Sequence, residues 1–171
     1  MQSTGHAPTF AARRSILAAF RATLVTGGRC SAARKAKVVA SKRETVRVEP
    51  ISTWLERWKA PTSVVTRTAD TVYISGLPPF DPATGEVAAN APIERQTELV
   101  LAQMQRCLEA AGSSLADVLK CNVYCTSVEQ FAAVNAVYAR WFPHDPPARV
   151  FVCVPAWPGP FDIEIDCIAA R

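Results

Sequence analysis

The sequence predicts an α+β domain in which two helices cover one face of a β-sheet. Three observations carry this expectation. Short β-branched or alternating runs recur along the body of the chain. Two stretches repeat apolar residues at three- and four-residue steps. The elements follow in the order strand, strand, helix, strand, helix, strand, strand. At 171 residues, 49% hydrophobic and 20% charged, the chain has the length and make-up of one soluble globular domain. A chain of this size hides roughly 70% of its unfolded surface, so its core needs neither metal nor disulfide support.

The body is expected to start at residue 49. In residues 52–59, Trp54 and Trp58 stand four apart and share one helical face, as packing anchors at the entry. Residues 63–67 and 71–75 are β-branched runs separated by Thr68, Ala69 and Asp70, the form of a tight hairpin. Residues 76–85 are a loop, since three prolines remove backbone donors and Gly85 can take a positive φ. Pro92 suits the first turn of a long helix. Ile93, Thr97, Val100, Leu101, Met104, Cys107, Leu108 and Ala111 form its packed face, and Gly112 terminates it.

In residues 119–125, Leu119, Cys121, Val123 and Cys125 alternate with Lys120, Asn122 and Tyr124, as in a half-buried strand. Ser127-Val-Glu-Gln130 has the form of a capping box and opens a helix to Trp141, with an apolar stripe of Phe131, Val134, Val137, Tyr138 and Trp141. Two strands, 149–154 and 161–169, flank a Pro-rich loop. In the first of them Val150, Val152 and Val154 face one way and Arg149, Phe151 and Cys153 the other, so both faces read as partly covered. Two helices cover only one face. The second layer is therefore expected from another copy, in an oligomer whose interface includes the Arg149 face.

Charge divides the chain into unlike parts. Residues 1–50 hold ten basic side chains against Glu44 and Glu49, a net charge of +8, and residues 51–171 hold nine against thirteen acids, a net charge of −4. Residues 1–48 are expected to be a basic, disordered leader. Arg13, Arg14, Arg21, Arg29 and Arg34 among Ser and Thr give it an organelle-transit composition, which a non-functional extension or a misassigned start would share. Localisation is accordingly expected to be cytoplasmic, or an organelle if the leader is a transit peptide. No run approaches the roughly 20 apolar residues of a membrane span, so no membrane partner is expected. The acidic body and the scarcity of leader aromatics argue against nucleic acid.

Six cysteines occur without a Cys-x-x-Cys pair, and the histidines are His6 and His144 alone, so no Cys/His metal site can be assembled at a usual spacing. Phosphate-loop, dinucleotide and Gly-x-Ser-x-Gly signatures are missing as well. What remains is Arg149 on a largely apolar strand face and an acidic stripe, Asp162, Glu164 and Asp166, on what is expected to be the neighbouring strand. A guanidinium stays charged at neutral pH and needs a carboxylate when it is sheltered from water. That carboxylate is either internal, from Glu164 or Asp166, or it arrives on a ligand that Arg149 grips in bidentate fashion.

The runs Thr71-Val-Tyr-Ile-Ser-Gly76 and Asp81-Pro-Ala-Thr-Gly-Glu86 are followed by Gln96, Ala110-Ala-Gly112, Asp117-Val118, Phe131-Ala-Ala-Val-Asn135 and Tyr138. With Pro147-Ala-Arg149 and Ile163-Glu-Ile165 they resemble the reactive-intermediate deaminase family, known as RidA or YjgF. The resemblance implies a chorismate-mutase-like fold, a homotrimer packed around a central β-barrel, and ligand clefts between subunits. It implies hydrolysis of enamine and imine intermediates such as 2-aminoacrylate and 2-iminopropanoate to 2-oxo acids and ammonia, with no cofactor and no metal. By position, Arg149 would bind the substrate carboxylate, Glu164 would orient or activate water, and Asn135, Ser75 and Gly76 would line the cleft. Phe151 would make the pocket more apolar, as would Val150, where the family commonly has Cys and Ser. Thr62 stands in place of a cleft tyrosine, Leu77 in place of a glutamine, and Trp157 with the loop ending at Pro160 offers a further wall. The alternative is a non-catalytic trimer that senses small carboxylates. Ribonuclease activity, also known in the family, fits the acidic body poorly.

Overall fold

The computed structural model describes residues 42–171 of the chain, and within them a six-stranded mixed sheet carries the fold. The elements are β1 (Glu44–Val46), α1 (Ile51–Arg57), β2 (Val65–Arg67), β3 (Thr71–Leu77), α2 (Ile93–Ala111), β4 (Val118–Cys125), α3 (Phe131–Trp141), β5 (Ala148–Cys153) and β6 (Ile163–Ala170). The sheet order is β1-β2-β3-β6-β4-β5, antiparallel throughout except for the parallel pair of β4 and β5. Parallel neighbours need a crossover, and α3 supplies it.

The hairpin of β2 and β3 turns through Thr68, whose hydroxyl accepts from the Asp70 and Thr71 backbone amides. The long helix stops at Gly112, whose φ of 78° is a left-handed conformation that a residue without Cβ adopts freely. Its anticipated face is buried: Thr97, Val100, Leu101, Met104, Cys107, Leu108 and Ala111 pack on Val72 and Ile74 of β3 and on Ile165, Cys167 and Ala169 of β6. Over the other face of the sheet, with Tyr73, Asn122, Tyr124, Glu164, Asp166, Val150 and Val152, no helix lies among the described residues, and Tyr73, Val150 and Val152 are exposed.

Several expectations need correction. The sheet begins before residue 49, because Glu44–Val46 pairs with β2 and Arg67 forms an ion pair with Glu44 at 3.1 Å. This edge strand is too short and too polar to show a period-two pattern. The remaining expectations for the leader fall on residues 1–41, outside the described ones. Leu119 is exposed rather than packed, since the register of β4 against β6 shifts between Val118 and Lys120 and puts Val118 inward instead. The Ser127 hydroxyl caps the Glu129 amide, but Gln130 does not reach back: its side-chain oxygen accepts from the Cys125 thiol at 2.7 Å, and a 3₁₀ turn (Val128–Gln130) precedes α3. Trp58 lies half in solvent, although like Trp54 it rests on the Phe80 ring.

Two corrections bear on function. The acidic strand β6 is not the neighbour of β5, because β4 lies between them. Arg149, Phe151 and Cys153 project to the helix side, in register with the buried Cys121, Val123 and Cys125, so the uncovered face is that of Val150 and Val152 and not that of Arg149.

Replacing a buried aliphatic side chain loses its transfer free energy and leaves a cavity. Leu108→Ala should therefore cost about 2–5 kcal/mol in denaturant unfolding, while Leu119→Ala, outside the core because of the register shift, should change stability by less than about 0.5 kcal/mol.

Candidate functional site

The expected site residues fall into two groups. The first is built where α3 crosses the edge strand β5. Asn135 and Tyr138 stand three apart and so share one side of α3. The Asn135 Oδ1 accepts a 2.5 Å hydrogen bond from an Arg149 terminal nitrogen. The guanidinium carbon lies 4.6 Å from the centre of the Tyr138 ring and 5.9 Å from that of Phe131, and Phe131 meets Phe151 edge to face at 5.1 Å. A ring face attracts a cation but does not replace a carboxylate. Burial raises the Tyr138 phenol above its ordinary range, so an uncharged ring lies beneath the arginine. No carboxylate of the described residues lies within ion-pair distance of Arg149. The cleft beside it, about 340 Å³, is lined by Asn135, Tyr138, Phe142, Pro146, Pro147 and Arg149.

The internal partners considered for Arg149 are engaged elsewhere or turned away. Asp166 accepts from Asn122 Nδ2 at 2.7 Å and from the Tyr124 hydroxyl at 3.0 Å. Asp162 is anchored by Thr126 and Gln96: its Oδ1 accepts from Thr126 Oγ1 at 2.7 Å, its Oδ2 from Gln96 Nε2 at 3.0 Å, and its backbone amide donates to Gln96 Oε1 at 2.8 Å. Gln96 is fully buried, so this clamp fixes the start of β6 against α2.

Glu164, two residues further along, belongs to the second group. Between the pairs Ile74 with Cys167 and Leu77 with Ile165, two residues of β3, Ser75 and Gly76, oppose the single Asp166 of β6, which is a β-bulge. A Cβ at position 76 would lie 2.5 Å from Glu164 Oε2, so the carboxylate rests against bare backbone. No donor among the described residues satisfies it. Burial first, and the neighbouring charge of Asp166 second, push the Glu164 carboxyl up to about 7. Ser75 lines an open cleft with Thr62 and Tyr73. Leu77 is buried in the core and faces no cleft. Trp157, within the loop that ends at Pro160, stacks on Phe161 with ring centres 5.5 Å apart.

Within one chain the groups do not meet. Arg149 is level with Cys121 and Cys167, whereas Glu164 is level with Tyr124 and Val152. They are two strands apart and three residues out of level, roughly 14 Å within the sheet, and project from opposite faces. Tyr138 under the guanidinium was readable as a helical neighbour of Asn135, though its place in the apolar stripe marked it as core. The bulge that brings Gly76 to Glu164 leaves no mark in the sequence beyond the glycine itself.

Residues 57–171 match the family model described as Endoribonuclease L-PSP. The chain belongs to the RidA/YjgF family. A RutC family protein of Pyrococcus horikoshii is 42% identical over 111 residues, covering 65% of this chain and 87% of that protein. Reactive Intermediate Deaminase A, chloroplastic, of Arabidopsis thaliana is 34% identical over 128 residues, 75% of this chain and 66% of that protein. Among solved structures, RidA from an Antarctic Psychrobacter superposes with a TM-score of 0.67 at 33% identity, covering 75% of this chain and 99% of that one. The YjgF gene product of E. coli gives 0.66 at 31%, covering 75% and 98%. The α+β architecture is thus that of RidA proteins, with the mixed six-stranded sheet and its helices in common. No helix among the described residues is long and apolar enough to cross a membrane.

A carboxyl raised from 4.5 to about 7 holds its proton more tightly folded than unfolded, so its contribution to stability falls as pH rises between those values. Glu164→Gln should therefore raise the melting temperature at pH 8 relative to the parent, with the difference shrinking toward pH 4 in parallel thermal scans.

Proposed function

We propose that the protein hydrolyses enamine and imine intermediates of the 2-aminoacrylate and 2-iminopropanoate type to 2-oxo acids and ammonia, in clefts between the subunits of a homotrimer. The observation that carries this reading is the sheltered Arg149 guanidinium with an amide oxygen and ring faces as side-chain partners and an open cleft beside it. A ligand carboxylate would complete its pairing. The membership of the RidA family and the named deaminase relative support the same chemistry.

The separation of Arg149 from Glu164 gives the assembly its purpose. The open sheet face, with exposed Tyr73, Val150 and Val152, is the surface that another copy would cover. A neighbouring copy would bring the Glu164 of one chain to the Arg149 of the next. Arg149 and Asn135 hold the 2-imino acid by its carboxylate, with Phe151 and Phe131 excluding water behind it. Ser75 and Gly76 shape the opposite wall.

Little acceleration is needed, because the iminium carbon is already electrophilic and the protein has mainly to orient one water. Glu164, poised near neutral pH, takes a proton from that water as its oxygen bonds to the carbon and the carbon–nitrogen π pair moves to nitrogen. Glu164 returns this proton to the nitrogen of the resulting carbinolamine, which then collapses: the carbon–nitrogen bond breaks, the carbonyl forms as the hydroxyl proton passes to Glu164, and the departing ammonia carries that proton away as ammonium. No redox partner is involved in the balance. The acidic stripe of β6 gives the same surface little attraction for RNA phosphates.

Arg149→Ala should lower kcat/KM for imine hydrolysis by about 100-fold or more, read as ammonia release from imines generated in situ. Activity equal to the parent removes the mechanism. Light scattering should give the mass of three 18.5 kDa chains. Coexpressed Arg149→Ala and Glu164→Gln chains, each inactive alone, should regain activity in about a quarter of their clefts, as random mixing of a shared site requires.

A further inference from the structure

A cavity of about 520 Å³ opens beside the Glu164 carboxylate, and apart from that carboxylate its side-chain walls are apolar: Trp58, Ala60, Val87, Pro158, Pro160 and Phe161. This volume lies in the range of sites that enclose a small organic ligand. Its walls are held in place. Trp58 leans on Phe80 with ring centres 5.2 Å apart, and Phe80 is buried. Phe161 is buried against the end of the sheet and stacks on Trp157, which in turn meets Tyr124 edge to face at 6.4 Å. Prolines 158 and 160 restrict the loop between these rings. The half-exposed Trp58 thus offers a ring to the cavity rather than to the core.

A methyl-sized substituent would leave most of this space to water that has few polar groups to bind. An aromatic or branched substituent would displace that water and bury its apolar surface against the rings. Resting on the reading of Glu164 as part of the reaction site, we infer that the protein takes 2-imino acids with large apolar side chains. Trp58 and Phe161 are then specificity-determining residues that receive the side chain while Glu164 faces the imine carbon. Trp58 stands outside the motifs that carry the family resemblance.

The test compares phenylpyruvate with pyruvate, stable product-like probes of the two sizes, by calorimetric titration of the full chain. Phenylpyruvate should bind about tenfold more tightly or better. The ratio should fall toward one in Trp58→Ala, which removes a wall, and in Ala60→Leu, which fills the space. Both substitutions are at partly or largely exposed positions, and thermal melts check that the fold persists. A ratio near one in the parent, or a ratio unchanged in both variants, overturns the inference. Its failure is separable from failure of the deaminase reading. A protein that releases ammonia from imines but does not discriminate by size loses only the specificity claim. One that prefers phenylpyruvate through Trp58 yet hydrolyses no imine loses only the catalytic claim.

Discussion

A guanidinium that cannot lose its charge, set against a tyrosine ring and tied by its side chain to a single amide oxygen, is the interaction around which the structure is arranged. It needs a rigid floor, which α3 supplies by placing Asn135 and Tyr138 one turn apart. It also needs to stay at the border of the core. The edge position of β5 provides this, because only one strand lies beside it. Were Arg149 on a central strand, its charge would be buried without compensation, at a cost that ordinary packing does not offset.

The acid on the other side of the sheet is shaped by a different device. A bulge in β3 presents Gly76 to Glu164, and the absence of a side chain there lets the carboxylate lie against backbone. The same proximity removes water from the acid, and the charge of Asp166 adds to the effect, so its proton is held near neutrality. Asp162, just before β6, and Asp166 on it flank Glu164 and are both hydrogen-bonded. Of three acids in a stripe, the one without a donor is the one free to exchange a proton.

Much of this was legible in the sequence, because periodicity states which residues share a face. Both long helices, the hairpin and, Leu119 apart, the inward set of β4 follow from it. Periodicity does not state which face is covered: it leaves the Arg149 face as the candidate for the open one, whereas Arg149 lies on the helix side. Nor does it state strand order. The insertion of β6 between β3 and β4 depends on pairings far apart in the chain, which adjacency in sequence, pointing to β5 as the neighbour of the acidic strand, does not express. Local competition explains smaller differences. The Gln130 side chain finds the Cys125 thiol instead of its own helix terminus, and a register shift turns Leu119 outward. Glycine 76 was readable as a site position from its motif, but the contact that gives it meaning is tertiary.

The three-residue strand β1 has a consequence for how the molecule avoids unwanted association. Unpaired backbone at the margin of a sheet is a template for pairing with foreign strands. β1 occupies that margin beside β2, and its brevity, its charge at Glu44 and the ion pair to Arg67 make it a poor template itself. A chain trimmed at residue 49, where the sequence pattern places the start of the body, would uncover the β-branched β2 and turn a guarded boundary into an adhesive one.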